Sequence, residues 1–292
     1  MLFLFKFMSV NYKIIIMADK KGVNDPKMLS DKQLDKKKEV RFSPSEYKFK
    51  TIAEALAELE ARVTVNDLVE FQNCTPKGRK AIVRATIKKL NDKKAGQKTD
   101  GGHYYVRALS GMKKAQEKSS LTPLFNKIKE VRDDIPNTPK KRTRDRWASN
   151  INAMEEYQKT HWHPEYTQAK KNYIGTGSEN GKFVFHGLDI SVRPELVYKS
   201  VIKGEKVVGA SKFVIKPPHA KFKREQSELV ALLTYLYAEF MCVEGETPAI
   251  CYAVDVYRHE CVPCPIDLEF AKSKLKKLVI EYLETWKQVI AE

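Results

Sequence analysis

The stretch RPELVYKSVIKGEKVVGASKFVIK, residues 193–216, decides how this chain of 292 residues is read. Two apolar, β-branched runs lie on either side of Lys203-Gly204, so the segment reads as two strands joined by a turn. The second run, VVGASKFVI, is broken by one lysine, Lys212. An ammonium is costly to bury without a partner, so Lys212 either escapes to solvent at a strand end or faces a carboxylate. Strand parity places Val208, Ala210, Lys212 and Val214 on one face, and a partner must come from that side. Glu195, on the preceding strand-like run, is the first candidate. Asp189, earlier in the chain, and Asp255, within YAVDVY, are the alternatives.

Working outward, RDRWASNINAMEEYQKTHW has a helical pattern, and GKFVFHG, LDISVRPELVYKSV and EKVVGASKFVIK are three strand-like runs. The apolar helix REQSELVALLTYLYAEFM, the strand AICYAVDVY and the helix DLEFAKSKLKKLVIEYLETWKQVI follow. Three consecutive strands predict a meander, and a helix before the last strand predicts a parallel crossover. The fold class is therefore α/β, a mixed sheet flanked by helices, preceded by a basic helical region.

That region is set off by charge. Residues 1–150 carry 34 Lys and Arg against 18 Asp and Glu, whereas 151–292 carry 19 of each, so the whole formal net charge of +16 lies in the first half. This predicts a polyanionic partner, nucleic acid, and the alternative is a set of solvated basic faces. Residues 1–47 read as a flexible arm, 48–134 as basic helices, 135–146 as a Pro-containing basic linker and 147–292 as the α/β domain. Thr51 can cap IAEALAELEARV, and Thr64 can cap VNDLVEF. In TPKGRKAIVRATIKKL, Thr75 is the cap and Pro76 the first helical residue. Ile82, Val83, Ile87 and Leu90 form its apolar stripe, while Lys77, Lys80, Arg84 and Lys88 line a face that can follow phosphates. Tyr104, Tyr105 and Arg107 are stacking candidates further on.

The apolar opening, residues 1–16, is interrupted by Lys6 and Lys13; it is shorter than the ~20 apolar residues a bilayer requires and lacks a cleavage site. Met17 reads as a more natural start. No membrane partner is expected. Five cysteines without framework spacing favour a reducing cytoplasm. Cys261 and Cys264 have metal-ligand spacing and lie near His259, but a cluster would need further ligands such as Cys251 or Cys242. HWHPEY, with His161, His163 and Glu165, reads as a histidine-rich turn.

The order helix, three strands, helix, strand, with Pro194-Glu195 and Lys212 on the second and third strands, resembles the PD-(D/E)XK nuclease superfamily. In that family an acid ends the second strand and acid-x-lysine sits on the third. Here PE stands for PD and Lys212 stands at the lysine, but Ala210 occupies the second acid's position. Some members of the superfamily carry that acid on the following helix, where this chain has Glu225, with Glu228 in reserve. The resemblance, over about residues 143–265, implies Mg²⁺ held by Glu195 and Glu225, Lys212 as the catalytic cation, and phosphodiester hydrolysis. The alternative is a degenerate nuclease fold that binds nucleic acid or protein without catalysis, in which Lys212 forms a structural ion pair with Glu195 or Asp255.

Overall fold

The computed structural model describes residues 61–94, 104–162, 170–174, 181–217, 220 and 222–292. The arm at 1–47, most of the helix expected over 52–63, and His163 and Glu165 lie outside these residues. The described end of that expected helix, Arg62–Thr64, is strand β1. Two helices follow, and both start at the caps read from sequence. Thr64 Oγ1 accepts the Asp67 N–H at 3.2 Å to open α1 (Val65–Asn73), and Thr75 Oγ1 accepts the Gly78 N–H at 3.3 Å to open α2 (Pro76–Lys94). Next come α3 (Val106–Glu117), α4 (Thr122–Asp134) and α5 (Lys141–Tyr157).

The remainder runs β2 (Asn172–Ile174), β3 (Lys182–Phe185), β4 (Leu188–Ser191), β5 (Leu196–Ile202), β6 (Glu205–Val214), α6 (Arg224–Met241), β7 (Glu246–Pro248), β8 (Tyr252–Asp255), β9 (Glu260–Pro263) and α7 (Leu268–Ala291). The large sheet has the order β2-β5-β6-β8-β9, with β7 also paired to β6. β5 and β6 form the expected hairpin, closed by Lys203 and Gly204, both at positive φ (50° and 86°), as a tight two-residue turn requires. β8 lies parallel to β6, with α6 as the crossover. The sheet is therefore mixed and the class α/β.

Three expectations are corrected. The run LDISVRPELVYKSV is two strands in two different sheets, because Arg193 takes a positive φ of 45° and Pro194 has no N–H to give a ladder. β4 pairs with β1 and β3 in a separate three-stranded sheet, and β2 takes the place beside β5 that the meander assigned to residues of β3. The stretch 135–146 is helical from Lys141, and Arg144 donates to the carbonyls of Thr138 and Pro139 at 2.8 and 3.0 Å, folding it onto α5. The helices before and after it share one core, and Lys50–Glu292 forms a single compact unit. RHECVPCP lies largely in a β-hairpin, with β9 antiparallel to β8.

The two faces of the large sheet are covered separately. Leu196, Phe213 and Val254 pack against Met112 of α3, Leu124 and Ile128 of α4, and Met154 and Tyr157 of α5. Val197, Val208, Ala210 and Ala253 face the other way, against Val230, Leu233 and Tyr237 of α6, with α1, α2 and α7 beyond. The result is three layers, helices on both faces of a sheet. No helix among the described residues is long and apolar enough to cross a membrane.

Candidate functional site

The ladder of the β5–β6 hairpin pairs Leu196 with Ser211, so Glu195, one residue earlier, stands beside Lys212. Glu195 lies just before β5 begins, and its side chain does what a continuing strand would do. Its Oε2 accepts the Phe213 backbone N–H at 2.7 Å, while Oε1 accepts from Lys212 Nζ at 2.7 Å. Lys212 also donates to the carbonyl of Arg193 at 3.0 Å. Both side chains are only 11% exposed. The lysine that interrupts an apolar strand is thus paired, and its partner is the acid that the hairpin register brings beside it.

The two other carboxylates considered for Lys212 are engaged elsewhere. Asp255, at the end of β8, is 1% exposed. It accepts the Ser227 hydroxyl of α6 at 2.7 Å and the Arg258 N–H at 3.2 Å, and burial pushes its carboxyl above the ordinary aspartate range. Asp189 pairs with Lys182 across the small sheet at 3.5 Å. Glu225 is exposed in the first turn of α6, and Glu228 lies 3.4 Å from Arg224. An Mg²⁺ site draws on several oxygen ligands. Among the described residues no group of three acidic, histidine or cysteine side chains is placed to hold a metal ion, and both oxygens of Glu195 are taken.

Lys212 does border a cleft of about 290 Å³, together with Asn66, Tyr105, Leu109 and the segment Phe213–Pro217. Burial and the neighbouring Tyr104 push the Tyr105 phenol up, and Tyr257, its hydrogen-bond partner, is pushed up to about 12. Lys216, at the rim, pairs with Glu70 of α1 at 2.7 Å.

On α2, Lys77 and Lys88 are exposed, but Lys80 and Arg84 both reach the carboxylate of Glu292, Lys80 at 2.7 Å. Only half of the basic stripe is therefore uncommitted. All five cysteines are free thiols, and burial raises Cys251 and Cys264. His259 hydrogen-bonds Glu156 at 2.6 Å, tying the β8–β9 turn to α5. Tyr104 and Arg107 are already engaged: Arg146 lies over the Tyr104 ring, and Arg107 lies over Trp147 while pairing with Asp134.

Sequence reading missed the surroundings of the α3–α4 turn, KSSL at residues 118–121. Two cavities meet there, one lined by lysines and hydroxyls and the other by Tyr157, Trp162 and Tyr173. The available signal was a Ser-rich turn between two Lys-rich helices. The aromatic residues reach it from tens of residues away in the chain, from α5, the segment after it and β2. Comparison of the chain with protein-family models, curated proteins and solved structures finds no match.

Proposed function

We propose that this is a nucleic-acid-binding protein built on a nuclease-like α/β core that holds its ligand without cutting it. The observation that carries binding is the cation cluster at the start of α5. Lys140, Lys141 and Arg142 are exposed and have no carboxylate partner among the described residues, and the first turn of this helix contains no acid. A helix N-terminus is already the positive end of the backbone dipole, so cations there raise the local potential at some cost in stability. A phosphate backbone turns that cost into binding energy.

The core reading is supported by the succession α5, β2, β5, β6, α6, β8, which has the helix, three strands, helix, strand order of the PD-(D/E)XK superfamily with the β3–β4 hairpin inserted after the first strand. Lys212 stands at the motif's lysine, and Glu195, which immediately precedes β5 where the resemblance has the acid end the second strand, pairs with it. The reading without catalysis is supported by their closure on each other and by Ala210 at the second acid's position.

The test is fluorescence anisotropy of a labelled oligonucleotide with the full chain, paired with a nicking assay in Mg²⁺. Replacing Lys140, Lys141 and Arg142 by glutamine is expected to weaken binding and to reduce the slope of log K against log salt by about two to three units. An unchanged slope would refute the assignment. Mg²⁺-dependent nicking that Lys212→Ala abolishes would favour hydrolysis instead.

A further inference from the structure

Two cavities lie back to back at the α3–α4 turn. The first is a groove of about 500 Å³ whose lining includes Gly111, Lys114, Lys118, Ser120, Thr122 and Lys127. Lys127 is already bound to Glu130 through both carboxylate oxygens, at 2.6 and 2.8 Å. Lys114 and Lys118 are exposed and have no carboxylate partner among the described residues; Lys114 lies in the last turn of α3 and Lys118 caps that helix, its N–H donating to the Lys114 carbonyl at 3.0 Å. The second is a cavity of about 430 Å³ whose lining includes Gln116, Tyr157, Thr160, Trp162, Lys171 and Tyr173. This volume lies within the ~300–1,000 Å³ of ordinary small-ligand pockets. Ser120 borders both.

The second cavity has the makings of a binding site. Tyr157 is fully buried and holds Trp162 edge-on, with ring centroids 5.6 Å apart. Tyr173 donates to the Gln116 carbonyl at 3.1 Å, and Gln116 Nε2 donates to the Tyr157 hydroxyl at 2.5 Å, so these side chains are fixed in place. Trp162 and Tyr173 remain half-buried. Thr160, only 7% exposed, has a hydroxyl with no hydrogen-bond partner among the described residues. Buried polar groups in native proteins are almost always paired, so an orphan hydroxyl on a residue that lines a cavity marks a place where a ligand can supply the partner.

We propose that this double cavity binds single-stranded nucleic acid, with one unpaired base entering the aromatic cavity and its flanking phosphates lying on Lys114 and Lys118 in the groove. A base offers a flat π face to Trp162 or Tyr173 and a polar edge to Thr160 and Gln116. Aromatic platforms beside a cationic track are how single strands are held without sequence preference. A duplex cannot deliver a base into such a cavity without unpairing it, which costs energy that a single strand does not pay. The inference rests on the nucleic-acid reading above and sharpens it from nucleic acid in general to single strands.

The experiment measures anisotropy of labelled dT12 and of a 12-base-pair duplex with the full chain, for wild type, Trp162→Ala, Trp162→Phe and the double variant Lys114→Gln, Lys118→Gln. The expected result is tighter binding of dT12 than of the duplex. Trp162→Ala should weaken dT12 by about 5- to 150-fold and leave the duplex unchanged. Trp162→Phe keeps an aromatic face and should restore most of the affinity. The lysine pair should lower the dT12 salt slope by about 1.4. If wild type binds both ligands and neither Trp162→Ala nor the lysine pair changes dT12, the double cavity is not the site, although the broader reading survives. If wild type binds neither ligand, the broader reading fails first. If Trp162→Ala melts early, the exposed lysine pair alone decides, since it touches no core contact.

Discussion

Lys212→Ala is the sharpest perturbation of the Glu195–Lys212 pair. Removing one partner of a buried ion pair typically costs about 3–5 kcal/mol, because the other charge is left stranded. Here the stranded Glu195 keeps the Phe213 N–H on Oε2, and both side chains retain 11% exposure. The loss should therefore fall at the lower end, about 3 kcal/mol. In a unit of this size each kcal/mol moves the melting temperature by about 2–4 °C, so a drop of roughly 6–12 °C is expected. Glu195→Gln can still accept from Phe213 but leaves Lys212 with the Arg193 carbonyl alone, and a loss of similar size is expected. Thermal melting by circular dichroism measures both, and combining Lys212→Ala with Glu195→Gln tests coupling, since a double variant should lose less than the sum of the singles. A shift under about 2 °C for Lys212→Ala, or strict additivity in the double variant, would show that the pair does not anchor β5 to β6.

Three further outcomes are expected. Burial raises the Asp255 carboxyl, so the folded chain holds a proton that the unfolded chain releases, and stability falls as pH rises from the ordinary aspartate range through the folded pKa. Asp255→Asn should therefore melt above wild type at neutral pH, with the gap closing as pH is lowered into that range; a gap independent of pH would contradict this. A Cβ on Gly209 would sit 2.3 Å from the Tyr198 ring, so Gly209→Ala should cost about 1–3 kcal/mol by overpacking. Tyr198→Leu in the same background should recover part of the lost melting temperature, and no recovery would place the strain elsewhere. Burial raises the Cys251 thiol and pushes Cys264 up to about 12, so native protein at pH 8 should resist alkylation at both while unfolded protein reacts, as read by peptide mass spectrometry.

What was legible in the sequence was local. Thr64 and Thr75-Pro76 mark helix starts through side-chain and φ preferences that act within a few residues. The Lys203-Gly204 turn and the α6 crossover follow from turn chemistry and from strand-helix-strand order. Glu195 as the partner of Lys212 was within reach because a hairpin register carries a residue only to its cross-strand neighbour. What was not legible depended on distant chain. Arg193-Pro194 reads as the middle of one strand until β1 and β2 compete for its two halves. The α2 stripe looks uniform until Glu292, more than two hundred residues later, takes Lys80 and Arg84. The cations and prolines at 135–146 suggest a joint, whereas the apolar faces of α3 and α4 share a core with α5 and the sheet. The aromatic cavity draws its lining from α3, α5 and the segment before β2, which no single window of sequence displays together.

The most direct test of the central claim is the affinity of the purified full chain for labelled dT12 between 50 and 200 mM salt. The expected result is binding at low salt whose log K falls linearly with log salt, with a slope of several units, as phosphate contacts by Lys114, Lys118 and the α5 cluster require. No binding at 50 mM salt, or a slope near zero, would contradict the assignment of this protein to nucleic acid.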